Sequence, residues 1–158
     1  MIPSTLTRIL VIAMFGLGIT EPVLAKEVEA SAMKYTNKGS YTAQFYIRYN
    51  LEDGSNCKVR PKNFGLVNLG YADTVTYVLS DKMMVKDGGQ GCVDADGYID
   101  QGREVWGYVD ITYGTNEGCK KDKTVSYESD GGTIEYKTAG ETLTIIGVRC
   151  LAGRDARV

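Results

Sequence analysis

The chain of 158 residues contains no histidine. That absence removes Ser-His-Asp and Cys-His catalysis, histidine-ligated metals and the ordinary near-neutral acid–base group. Nor does any Cys-x-x-Cys pair occur among Cys57, Cys92, Cys119 and Cys150, whose long, irregular spacings do not suit zinc. Lysine and arginine form no cluster and are not in excess, which argues against nucleic acid and against anionic membranes as electrostatic partners. A long apolar run is also missing. The one apolar stretch, residues 9–19, is too short to span a bilayer.

What that stretch does resemble is an export signal. Arg8 precedes it, Pro22 breaks any helix after it, and Val23-Leu24-Ala25 offers small residues to a signal peptidase. Residues 1–25 are therefore expected to be a secretory signal. Residues 26–158 are expected to be one domain without a transmembrane segment, secreted or periplasmic. Losing Arg8 and Glu21 leaves 17 basic and 19 acidic residues, a net charge of −2. An even cysteine count in an exported chain reads as two disulfides, which four cysteines can form in three ways. Pairing Cys57 with Cys92 and Cys119 with Cys150 keeps each loop within one half of the chain. Each loop constrains the unfolded state by about 4 kcal/mol in the chain-entropy model. Oxidised cysteines leave no thiol nucleophile. No spacing singles out a carboxylate pair either, so a non-catalytic protein without a cofactor is expected.

The pattern that is present is two-residue alternation. Residues 41–51, YTAQFYIRYNL, place Tyr41, Ala43, Phe45, Ile47, Tyr49 and Leu51 on one face. Thr42, Gln44, Tyr46, Arg48 and Asn50 fall on the other. That is a half-buried strand, followed by a turn at Asp53-Gly54-Ser55-Asn56. Residues 27–38 read as a polar lead-in with a short strand near Met33 to Thr36. A short strand is expected after Pro61, carrying Phe64, Leu66, Val67 and Leu69, and another in TVTYVL (74–79). Residues 83–85 extend that strand or form an edge. Residues 104–113, EVWGYVDITY, alternate Val105, Gly107, Val109, Ile111 and Tyr113 against Trp106, Tyr108, Asp110 and Thr112. Residues 124–128 and 133–137 flank Ser129-Asp130-Gly131-Gly132, a hairpin turn. Residues 141–150 form a last strand. With no amphipathic helix of useful length, the expected fold is all-β: a disulfide-stapled antiparallel β-sandwich.

Two features bear on chemistry. The 86–103 stretch is the longest irregular segment and holds Asp94, Asp96, Gly97 and Asp100, which resembles the middle of a helix–loop–helix calcium site. With Gly97 at the sixth position, Cys92 falls at the first and Arg103 at the twelfth, where a bidentate glutamate belongs. The three aspartates are thus weak metal candidates, and a solvated turn is the plainer reading. The second feature is eleven tyrosines and one tryptophan. Most tyrosines suit strands. Trp106 and Tyr108 share a face, either as core or as an exposed aromatic pair for a membrane interface or a sugar ring.

Residues 39–47, GSYTAQFYI, resemble the opening strand of the C-terminal membrane-recognition domain of cholesterol-dependent cytolysins and of small secreted proteins built from that sandwich alone. Residues 105–111, VWGYVDI, are loosely similar to the end of the family's tryptophan-rich loop and the following strand. Residues 137–143, KTAGETL, resemble its Gly-x-Thr-Leu motif, whose Thr-Leu pair touches sterol. The resemblance implies a β-sandwich and places Trp106, Tyr108, Thr142 and Leu143 in one ligand-binding tip. It departs from the family in having one tryptophan, and aspartates where an apolar inserting loop belongs. A secreted module recognising lipid or a membrane surface through loops at one end is the leading expectation. The alternatives are a lectin-like glycan binder, with or without calcium, and an exported inhibitor-like protein that binds another protein.

Overall fold

The computed structural model describes residues 28–65, 67–119 and 124–140, and the backbone of 149–152. Ten strands follow one another: β1 (Glu29–Asn37), β2 (Ala43–Asn50), β3 (Asn56–Pro61), β4 (Thr74–Val78), β5 (Met83–Asp87), β6 (Glu104–Ile111), β7 (Glu117–Gly118), β8 (Val125–Tyr127), β9 (Gly132–Ala139) and β10 (Arg149–Ala152). None of the described residues is helical. The strands form one curled sheet ordered β10-β9-β1-β8-β6-β2-β3-β5, with β4 also on β1 and β7 on β6.

The alternation of residues 41–51 survives almost intact in β2. Ala43, Phe45, Ile47 and Tyr49 are buried, while Gln44 and Arg48 are only half-covered and Asn50 is exposed. Cross-strand partners extend that face: Ile47 lies opposite Val59 of β3 and Gly107 of β6. The curl then brings β1, β4 and β9 against it. Phe45 stacks on Tyr35 of β1, ring centroids 4.8 Å apart and planes 5° from parallel. Tyr77 of β4 and Tyr136 of β9 lie tilted at 5.6 and 6.1 Å. Such ring pairs add about 0.5–1.5 kcal/mol each beyond the area they bury. Gly107 makes room for them, because a Cβ there would sit 2.8 Å from the Phe45 ring and 3.2 Å from that of Tyr136.

Three expectations are corrected. The sheet is mixed, not wholly antiparallel, since β1 runs parallel to both β8 and β9. Consequently β8 and β9 are not a hairpin: β1 lies between them, even though their connection has good turn residues. Close approach explains the preference, for a Cβ on Gly131 would lie 2.7 Å from the Ala30 backbone. The second correction concerns β1 itself. Residues 27–38 read as a polar lead-in with a short strand near Met33 to Thr36, yet β1 is a central strand of nine residues. Third, the strand near Pro61 ends there and does not begin there; Leu69 contributes only an isolated bridge to Ala43.

Cys57 of β3 is bonded to Cys92, 35 residues on, as expected. The bond pins the 88–103 segment to the sheet. Cys119 is disulfide-bonded as well; the side chain of Cys150 lies outside the described residues.

Two outcomes follow from this core. Gly107→Ala should destabilise the fold by about 1–3 kcal/mol, the usual cost of overpacking, read as a lower melting temperature. The buried tyrosines set an alkaline limit. Burial pushes the hydroxyls of Tyr49 and Tyr77 up to about 12 and raises that of Tyr35 as well. Unfolded tyrosines ionise near pH 10 while these retain their protons, so stability is full below that pH and is lost as pH rises toward about 12. Thermal melts between pH 8 and 12 should show a plateau and then a fall beginning near pH 10.

Candidate functional site

One end of the sheet gathers the connections that the sequence leaves scattered. β1 and β9 finish there, β2 and β4 begin there, and β6 delivers its last residue, Ile111, opposite Ala43. Asn37 knots two of them together, the 38–42 and 69–73 loops. Its buried side-chain amide donates to the carbonyls of Tyr41 and Leu69 and its Oδ1 accepts from Gly39 N–H. Its backbone bonds to Ala72 and Asp73 at 2.7 and 3.0 Å. The Lys38 N–H donates to Thr138 and the Thr112 N–H to Thr42, so the 38–42, 70–73 and 112–116 loops share this end with Gly140.

From that end project the two most exposed aromatics of the described chain. Tyr71 is 70% exposed and Tyr113 is 99% exposed. Both sit at unusual backbone. Tyr113 itself has φ of 60°, and Ala72, next to Tyr71, has 67°; no other described non-glycine residue has positive φ. A left-handed conformation costs a residue with a Cβ on the order of 1 kcal/mol or more. Local bonds hold it: the Asp73 carboxylate accepts from Gly70 N–H at 2.7 Å, and the Gly114 N–H donates to Ile111 at 3.2 Å. Strict alternation puts Tyr113 on the inward face of β6. The strand stops at Ile111, and the turn rotates Tyr113 into solvent.

The residues singled out from sequence fall in different places. Trp106 is 5% exposed and lies opposite Arg48, five residues before Ile111 and thus roughly 17 Å from the tip along the strand. Tyr108 is half-buried beneath the Arg48 guanidinium, 4.0 Å above its ring, with the Lys58 ammonium at 5.3 Å. Lys58 also crosses the Tyr46 ring at 4.7 Å and pairs with Asp110 at 2.8 Å. Trp106 and Tyr108 therefore belong to a covered wall of the sheet and not to its tip. Thr142 and Leu143 lie outside the described residues.

Two of the three aspartates have their carboxylates engaged locally. Asp94 Oδ1 accepts the N–H groups of Asp96 and Tyr98, at 2.9 and 2.8 Å. Asp100 pairs with Arg103 at 2.6 Å. Among the described residues no group of three acidic or cysteine side chains converges as metal ligands would.

No protein-family model matches this sequence, and no curated protein matches it. Solved structures do. The human-specific toxin intermedilysin is similar over 78% of this chain, at 13% identity and a TM-score of 0.38. A disulfide-locked intermedilysin solved with human CD59 gives 15% and 0.39 over the same share. Pneumolysin gives 10% and 0.37 over 80%. Both toxins are cholesterol-dependent cytolysins, the family that residues 39–47 resemble. The likeness is distant in shape as in sequence, and this chain spans about a quarter of their length, 23–24%.

The strained backbone at the tip has a direct consequence. Tyr113→Gly removes the left-handed penalty and no packing, so the melting temperature should hold or rise. A drop of several degrees would show that the Tyr113 ring contributes to the fold.

Proposed function

We propose that this chain is an exported, non-catalytic binding module that meets a membrane surface with the end carrying Tyr71 and Tyr113. One observation carries the reading: two tyrosines stand exposed at one end of the sheet, on the 70–73 loop that buried Asn37 ties to the 38–42 loop and on the 112–116 loop that the Thr112 N–H bonds to Thr42 of that same loop. A tyrosine combines an apolar ring with a polar hydroxyl, the combination enriched where lipid tails give way to headgroups. Holding it in a costly backbone conformation at full exposure makes sense when the ring has a task outside the fold.

Thr142 and Leu143 belong to the same proposal. They follow Gly140, which sits at this end, by two and three residues in sequence. In this reading Leu143 adds apolar contact and Thr142 a hydroxyl hydrogen bond. Export fits the disulfides, which persist in oxidising compartments. The chain's net charge of −2 gives no general attraction to anionic lipid. Contact therefore rests on the apolar tip, and neutral phosphatidylcholine vesicles should suffice.

Flotation with such vesicles, with and without sterol, tests this. Wild-type protein should co-float. A Tyr71→Ser/Tyr113→Ser double variant should lose at least about tenfold in affinity, or 1.4 kcal/mol, while keeping its melting temperature. Leu143→Ala should weaken binding likewise. Absence of wild-type flotation with every vesicle, or an unaffected double variant, would overturn the membrane-tip reading.

A further inference from the structure

Away from the tip lies a cleft of about 460 Å³, lined by Lys62, Asn63, Ser80, Asp81, Lys82 and Tyr98. Its size falls within the roughly 300–1,000 Å³ usual for small-ligand sites. Three separate turns meet there, after β3, between β4 and β5, and in the aspartate-rich segment. Backbone bonds lace them together: Lys62 N–H donates to Lys82 at 2.7 Å, and Met83 N–H to Gly97 at 2.7 Å. We infer that this cleft binds a single sugar residue bearing an anionic group, a uronic acid or a sulfated sugar.

The acidic turn acquires a role in this reading. Asp94 spends its Oδ1 on the N–H groups of Asp96 and Tyr98, and its own N–H donates to Tyr98 at 2.9 Å. Gly97, with φ of 93°, lets the chain turn back at that point. The turn thus fixes Tyr98 as one wall of the cleft. Asp94 acts as a frame for an aromatic ring, with no metal required.

The lining chemistry selects the ligand class. Two ammonium groups, Lys62 and Lys82, suit an oxyanion. A plain anion, however, would gain nothing from the Asp81 carboxylate beside them. Hydroxyl groups would: Asp81 accepts from a sugar O–H, while Asn63 and Ser80 can both donate and accept. Asn63 already steadies Asp81, Nδ2 to Oδ2 at 3.4 Å. The Tyr98 ring offers a flat apolar surface for the C–H face of a pyranose, and the Lys82 ammonium stands 5.4 Å from its centroid. A ligand with one anionic group, several hydroxyls and an apolar face satisfies all of them at once.

Methyl β-glucuronide, methyl β-glucoside and sodium sulfate, each titrated into the whole protein, test the assignment. The readout is the NMR signals of the Tyr98 ring and the Lys82 side chain. The glucuronide should move both saturably, more weakly as salt rises. The glucoside should bind at least about tenfold more weakly, as should the glucuronide to a Lys62→Gln/Lys82→Gln variant or to Tyr98→Ala. Equal binding of glucoside would overturn the anionic assignment. Sulfate alone reproducing the same shifts at the same concentration would reduce the cleft to an anion patch and overturn the sugar. No saturable shift with glucuronide would overturn the site. None of these outcomes depends on vesicle binding, since the tip shares no residue with the cleft.

Discussion

The packing of Phe45 against Tyr35, Tyr77 and Tyr136 is the contact on which the rest depends. It is the only place where rings from β1, β2, β4 and β9 meet among the described residues. Strand twist and the irregularities in β1 and β3 let a sheet of this width curl, and the aromatic cluster is what packs inside the curl. Gly107 is its complement on β6, an absent side chain where any side chain would displace a ring. Small residues play the same part at the other seam, where Gly131 lets β9 approach Ala30 and so admits β1 between β8 and β9. An architecture with a parallel central strand thus rests on two glycines and a phenylalanine.

Tyrosine serves three purposes here, separated by what meets the hydroxyl. In the core, three hydroxyls find partners: Tyr35 meets Thr138 at 2.6 Å, Tyr77 donates to the Phe45 carbonyl, and Tyr49 donates to Cys92. A buried hydroxyl without such a partner costs about 1–3 kcal/mol, which is why these three can be fully enclosed. On the outer wall, Tyr46 and Tyr108 lie under Lys58 and Arg48, whose aliphatic stems and charges cover the rings. At the tip, Tyr71 and Tyr113 have neither cover nor rigid surroundings other than the knot at Asn37. Composition counts all of these alike.

The long irregular segment owes its order to local turn bonds and to two anchors on the sheet. Cys92 ties it to β3, Gly97 ties it to β5, Asp94 closes its turn and Asp100 pairs with Arg103. The Asp94 and Asp100 contacts are local, while the Met83–Gly97 bond reaches back to β5 and the disulfide spans 35 residues. Aspartate and glycine content therefore reports turn chemistry here: of the residues that suggest a calcium loop, Asp94 closes the turn and Asp100 pairs with Arg103.

Much of the fold was legible in the residues taken in order, because strand alternation is a local property. Period-two patterning identified β2 and β4 with the correct faces inward and β6 as a strand with its face left open, and the absence of helical periodicity established the all-β class. The Cys57–Cys92 pair also followed from local loop economy. Pairing partners were not legible. Whether β9 joins β8 or β1 depends on which backbones can approach across about a hundred residues of sequence, and Ala30 and Gly131 decide it by having no bulk. Burial of Trp106 and exposure of Tyr113 were undecidable for a related reason. Alternation says which residues share a face, but only the curl of the sheet decides which face is covered. Only the loop geometry decides where alternation stops. The tip and the cleft are both built from turns distant in sequence, so neither existed as a pattern along the chain until tertiary contacts brought those turns together.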